Sequence, residues 1–439
     1  MRTQPPSYDC LVIGGGIHGT YIARELTQRD SGTRIGIVDP NPRLLDSFRT
    51  KARACGMTAL RSSFVNHLGG EPFQLEHFAG GEDREDELVP TVDYPERPTL
   101  SLFLDHAEHV IERSGLSEKH IQATVKCIQP RQDGGFTVET TDDDLQAATC
   151  VLAIGHGGRY TYPEWTTTLP ADAPVSHVWE DEKNGILPET DAGSDDDATD
   201  EHATDDHTIV VGGGITGVQL ACALATDHLV TLLTRHPLTW ETAEADPPWL
   251  NWSHIESELH CHPPGSAERL SVVDDARYDA SVPPALYEPL REHIDEGRLE
   301  IEQGTVESAT TTDDDSNADD PPLSITLERG RTLHAERAVL ATGFENIFDH
   351  PFVDQLETDL GLARGADGMP LLGDETLAWE YADGSESRLF VTGALARGTV
   401  GPYAPNIPGA RRASERICEA ITRLVTPQST APTSVSVQQ

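Results

Sequence analysis

Four residues able to do chemistry stand close together. Arg61, Ser62, Asn66 and His67 fall within the run GMTALRSSFVNHL (Gly56–Leu68), and the surrounding segment 40–81 is basic in an otherwise acidic chain. A guanidinium, a hydroxyl, an amide and an imidazole so grouped can bind phosphate or line a heteroaromatic ring. The same types also make an ordinary surface loop. A further amide, Asn406, sits in a glycine- and proline-rich stretch just before a helical pattern. No Ser-His-Asp set, carboxylate pair or metal-ligand spacing accompanies them. Any chemistry here would be that of a bound group which they line.

The elements that would hold such a group are two glycine turns. Leu11-Val12-Ile13 reads as a buried strand and runs into Gly14-Gly15-Gly16-Ile17-His18-Gly19. A helical pattern follows, and then a second apolar strand, Ile35–Val38, ending in Asp39. Gly14, Gly16 and Gly19 occupy the G-x-G-x-x-G positions. Asp39 lies where a carboxylate takes the ribose hydroxyls of an adenosine. The pattern repeats at Ile209–Val211 followed by Gly212, Gly214 and Gly217, but its second strand ends in Thr234-Arg235-His236. An arginine in place of the acid favours a 2′-phosphate. Two fingerprints 198 residues apart, one ending in an acid and one in a base, assign FAD to the first and NADPH to the second.

Composition bounds the rest. The 439 residues carry a net charge of −42, with 74 acidic against 32 basic side chains. Acids this dispersed suit a protein built for a salty cytoplasm and argue against nucleic acid as a partner. Seven scattered cysteines without C-x-x-C spacing write neither a redox dithiol nor a zinc site, and they suit a reducing compartment. No signal peptide or membrane-spanning run is legible. His202 and His207 lie beside acids, but in a charge run with no ligand spacing.

The expected architecture is α/β, with two Rossmann-like domains and the NADPH domain inserted in the FAD domain. Residues 1–180 form the first part of the FAD domain and 181–206 an acidic linker. Residues 207–335 form the NADPH domain, 336–425 the rest of the FAD domain, and 426–439 a disordered tail. Expected elements include a helix from Pro98, strands at Gln122–Pro130, Gly135–Thr141 and Cys150–Gly155, and a helix over 282–297. An acidic hairpin tip is expected at 313–322. Ala338–Phe344 should be a buried strand pairing with Val151–Gly155. Trp240, Trp249 and Trp252 either line a substrate mouth or pack a loop. Val391-Thr392-Gly393, a loop to Gly409 and a final helix would set a helix N-terminus against the flavin.

These pieces resemble the two-dinucleotide-binding-domain flavoproteins, and within them the flavin monooxygenases that N-hydroxylate ornithine and lysine. The resemblance rests on both glycine motifs, on Ala341-Thr342-Gly343, on Thr392-Gly393, and on Gly401-Pro402 with Asn406-Ile407-Pro408-Gly409-Ala410. It implies hydride transfer from NADPH to FAD, and then oxygen activation as a C4a-hydroperoxyflavin that hydroxylates a small nucleophilic substrate. Arg61, Asn66, His67 and Asn406 would line the reacting ring. Gly15, Ser62, Gly343, Gly393, Ile407 and Gly409 would join the fingerprint residues around the cofactors. One departure stands out. The usual acid after the last strand is Ala394, so ribityl contacts must come from elsewhere. The alternatives are an NAD(P)H:acceptor reductase without a dithiol, and a non-enzymatic flavin-binding sensor. Substrate identity and oligomeric state are not legible.

Overall fold

The structure, a computed structural model, describes residues 6–180, 187, 206–311 and 321–425. The acidic stretch 181–206 (Leu187 and Asp206 apart), most of the hairpin tip at 313–322 and the tail 426–439 lie outside them.

Two sheets organise the chain, one mixed and one parallel. The first has eight strands. Its main path runs Ala378–Glu380, Glu386–Val391, Asp144–Leu152, Ser7–Ile13, Ile35–Asp39, His120–Gln122, and only the first of these is antiparallel to its neighbour. Cys10, Leu11 and Val12 have no exposed surface, because the strand is paired on both edges in the middle of the sheet and packs in its main core. The helix Ile17–Arg29 lies against the closing helix Ile407–Val425. There Ala413, Ile417 and Ile421 recur at every fourth position and are buried, while Glu415 and Glu419 face water.

The second sheet is parallel throughout, in the order Leu299–Gln303, Leu229–Thr234, His207–Val211, Arg337–Leu340, Val175–His177. Arg337–Leu340 therefore pairs with His207–Val211, and the expected pairing with Val151–Gly155 is not formed. Val175–His177 also belongs here, so this sheet takes a strand from each stretch expected to form the FAD domain, 1–180 and 336–425. A short apolar run ending in glycine fits the edge of either sheet, and the pattern alone does not name its neighbour.

Other differences are local. The stretch Gln122–Pro130 is two strands, because the chain leaves a parallel partner at Gln122 and takes an antiparallel one from Val125. The strand expected at Cys150–Gly155 starts at Asp144 and ends at Leu152. The helix expected over 282–297 is α-helical only over Tyr287–Asp295, after a single 3-10 turn at the prolines. Val306–Thr311 and Leu323–Leu327 pair antiparallel on either side of the acidic tip.

The chain crosses between the sheets twice, and the crossings pair with each other. Thr161 N–H donates to the Gly343 carbonyl at 3.1 Å, and Glu345 N–H to that of Arg159 at 3.0 Å. Phe344 stacks between His156 and Trp179, with ring centroids 4.5 and 4.7 Å away. Further seams join the domains. Arg269, fully buried, forms a two-pronged pair with Asp374 at 2.6 and 2.8 Å. Arg412 donates twice to the Leu250 carbonyl. Trp249 packs with Ile255 and Tyr403, which settles that tryptophan as packing rather than a mouth residue. Trp240 packs edge-on against Tyr287, and Trp252 lies under Arg416. Among the described residues, no helix is long and apolar enough to cross a membrane.

Candidate functional site

Both glycine turns sit at the carboxyl ends of their sheets, where open parallel sheets bind ligands. In the first, Gly14 has φ +108°, and a Cβ there would lie 2.3 Å from the Ala153 carbonyl oxygen. One on Gly19 would lie 1.8 Å from the Gly14 oxygen. These two glycines are needed by the fold itself. Gly16 differs, because a Cβ there would meet nothing within 4 Å. It borders open space, and the helix beginning beside it has no side chain capping its N-terminus. An uncapped helix start beside a glycine that leaves its backbone approachable suits a diphosphate. Asp39 accepts from the Gly15 N–H at 2.6 Å through one oxygen, and from the Asn41 backbone and side chain through the other. The first turn therefore fits an adenosine diphosphate such as that of FAD.

The second turn repeats this geometry. Gly212 has φ +134° and abuts the Ala341 carbonyl, Gly217 abuts the Gly212 oxygen, and the following helix is again uncapped. Thr234 is buried with its hydroxyl unpartnered. Arg235 and His236 are exposed at the strand end. No ion pair occupies Arg235 among the described residues, so it is free for a phosphate.

Between the sheets lies a cleft of about 1050 Å³. The second glycine turn, Thr234, Arg235 and Gly343 line one part of it. Ile17, Phe48, Met57 and Leu60 make an apolar wall, and Arg61, Ser62, Asn406 and Ile407 complete it. Arg61 is not free for chemistry. It makes five hydrogen bonds, to the carbonyls of Glu241, Thr242, Ala243 and Ser281 and to the Ser281 hydroxyl. It clamps the segment at Glu241 to the first domain.

Asn66 and His67 do not line the cleft. Asn66 donates to the Ser63 hydroxyl at 3.1 Å. His67 is fully buried. Its Nδ1 accepts from Gly69 N–H at 2.8 Å, and its Nε2 donates to the Pro72 carbonyl at 3.2 Å. Burial pushes its pKa down to about 4. It props a turn, edge-on against His106. Gly409 is set by packing, since a Cβ would lie 2.3 Å from the Tyr403 oxygen, and Gly393 sits at φ +76° in the last turn. Neither lines the cleft.

Two residues passed over in the sequence belong to the site's surroundings. His18, inside the fingerprint, meets the Thr392 hydroxyl at 2.8 Å and leaves a buried Nε2 without a partner. Burial pushes its ring down to about 4. Glu244 lines the cleft and accepts from Asn406 Nδ2 at 3.1 Å. The signals were present, a histidine between the fingerprint glycines and a carboxylate inside the tryptophan run, but neither pattern says which way a side chain faces.

Residues 11–157 match a family model described as FAD-NAD(P)-binding. Among curated protein sequences, none matches the chain. Solved structures do. The ornithine N-hydroxylase of Kutzneria sp. 744, determined with reduced FAD, NADP⁺ and L-ornithine, superposes with a TM-score of 0.73 at 15% identity, over 95% of this chain and 99% of that one. This is the fold of the N-hydroxylating flavin monooxygenases. The L-lysine 6-monooxygenase of Pseudomonas syringae (TM-score 0.69, 18% identity, 95% and 100% covered) is similar. So is the FAD-bound cadaverine monooxygenase of Erwinia amylovora (0.68, 14%, 100% and 99%). The bacillithiol disulfide reductase of Staphylococcus aureus also matches, at 0.59 and 15% identity over 96% of this chain and 100% of that one.

Proposed function

We propose that the chain is an FAD-dependent, NADPH-using monooxygenase acting with O₂ on a small nucleophilic substrate. The observation that carries this is a cleft lined by the second glycine turn, Arg235 and Ile17 of the helix that follows the first turn, whose own strand pair ends in Asp39. Bound FAD supplies hydride acceptance from the nicotinamide and the activation of oxygen. The chain's own residues bind and shield. The uncapped starts at Ile17 and Ile215 hold diphosphates, and Asp39 takes ribose hydroxyls. Arg235 pairs with the 2′-phosphate. Phe48, Met57 and Leu60 keep water from the reacting centre. The start of the helix Ile407–Val425 presents its positive dipole end at the cleft wall, where negative charge on the reduced cofactor is stabilised.

The test is to load the protein with FAD, reduce it anaerobically with NADPH, and admit oxygen. A slow return of oxidised-flavin absorbance supports the monooxygenase, as does NADPH use without matching peroxide when ornithine, lysine or cadaverine is supplied. Immediate reoxidation sinks it in favour of an acceptor reductase, the reading favoured by the likeness to bacillithiol disulfide reductases. Failure of NADPH and NADH to reduce the flavin removes both.

A further inference from the structure

Glu244 is held rigidly although it lines a cleft. Arg61 takes the carbonyls of Glu241 and Ala243 at 2.7 and 2.6 Å, and Tyr278 N–H donates to the Glu244 carbonyl at 2.9 Å. The carboxylate accepts from Asn406 Nδ2 at 3.1 Å, across 162 positions of sequence. A carboxylate only accepts, so the amide has one possible orientation, with nitrogen toward Glu244 and oxygen away. That oxygen, Asn406 Oδ1, is buried and has no partner. Buried acceptors are rarely left so, and each one calls for an account. Asn406 directly precedes the helix Ile407–Val425 and lines the cleft together with Ile17 and the second glycine turn.

We infer that Glu244 is a positioning residue. It fixes the Asn406 amide so that Oδ1 accepts from a ligand N–H that lies beside a carbonyl. The second Nδ2 hydrogen of Asn406 can meet that carbonyl. An amide edge of this kind complements a carboxamide or a cyclic imide, and each cofactor carries one, the nicotinamide carboxamide and the flavin N3–H between its two carbonyls. This rests on the cofactor reading above.

Two titrations test it, with Glu244→Ala, Glu244→Gln, Asn406→Ala and the double alanine variant, each checked for an unchanged melting temperature. FAD is titrated into apoprotein, and NADP⁺ into FAD-loaded protein. Glu244→Gln can accept from or donate to Asn406, so it no longer enforces one orientation and should bind between wild type and Glu244→Ala. Each alanine variant should bind about fivefold more weakly, the worth of one neutral hydrogen bond. The double variant should be no weaker than either single. A loss in the FAD arm assigns the flavin imide, and a loss in the NADP⁺ arm the nicotinamide. Wild-type affinity for both cofactors in Glu244→Ala overturns the inference. A wild-type chain that takes up neither cofactor overturns the cofactor reading as well.

Discussion

Replacing Gly16 with alanine should separate cofactor binding from folding. Gly16 has φ −74° and ψ −167°, an extended conformation that alanine adopts freely, and its added Cβ meets no protein atom within 4 Å. The folded apoprotein should not suffer. Restricting the unfolded chain should even stabilise it by about 0.4–1 kcal/mol. The same methyl group fills the cradle where a diphosphate must approach the backbone. Losing one charge-assisted hydrogen bond there costs about 1.5–3 kcal/mol, or about 10- to 150-fold in FAD affinity. Gly19→Ala is the contrast. Its Cβ would lie 1.8 Å from a carbonyl oxygen of the neighbouring turn, so the apoprotein itself should lose at least about 1–3 kcal/mol. The assay pairs thermal melts of apoprotein with FAD titrations followed by flavin fluorescence. The reasoning fails if Gly16→Ala binds FAD like wild type, or if it melts as low as Gly19→Ala.

Three further outcomes are expected. Arg235→Ala should raise the KM for NADPH about 10- to 150-fold and leave that for NADH unchanged, since the lost contact is to the 2′-phosphate alone; steady-state reduction with both nucleotides checks this. The buried histidines His18, His67 and His177 are pushed down to about 4, and His106 to about 3. The unfolded chain therefore binds more protons below pH 6.5, and stability should fall from pH 7.5 to 5.5 by at most about 1.4 kcal/mol per pH unit per histidine. Urea unfolding at the two pH values measures this, and His106→Leu should flatten the slope. With a net charge of −42, the melting temperature should rise between 0.1 M and 2 M KCl as repulsion is screened; a flat or falling response would remove the salt account of the acids.

The fold was legible where local pattern and tertiary demand coincide. Gly14, Gly19, Gly212 and Gly217 are glycines because a Cβ would strike a neighbouring carbonyl, and the spacing records that constraint in the chain itself. Sheet membership was less legible. Arg337–Leu340 carries the same apolar run in either sheet, and only pairing with His207–Val211 decides. The site was least legible. Arg61 and His67 have the types of catalytic groups, yet one spends its donors on carbonyls 180 positions away and the other on its own turn. Direction of a side chain, unlike its type, has no local signature. Asn406 was picked out for its place before the last helix, while the carboxylate that orients it lies in a segment read as tryptophan packing.

The stitched seam between the two sheets bears on how ligands come and go. A hinged opening would have to break the five hydrogen bonds of Arg61 together. They tie the first domain to Glu241–Ala243 and Ser281, beside Trp240 and Val282 in the second domain's core. Opening of the cleft is therefore resisted at one clamp, and amide protons on its far side should exchange with solvent more slowly than those of the loops around them.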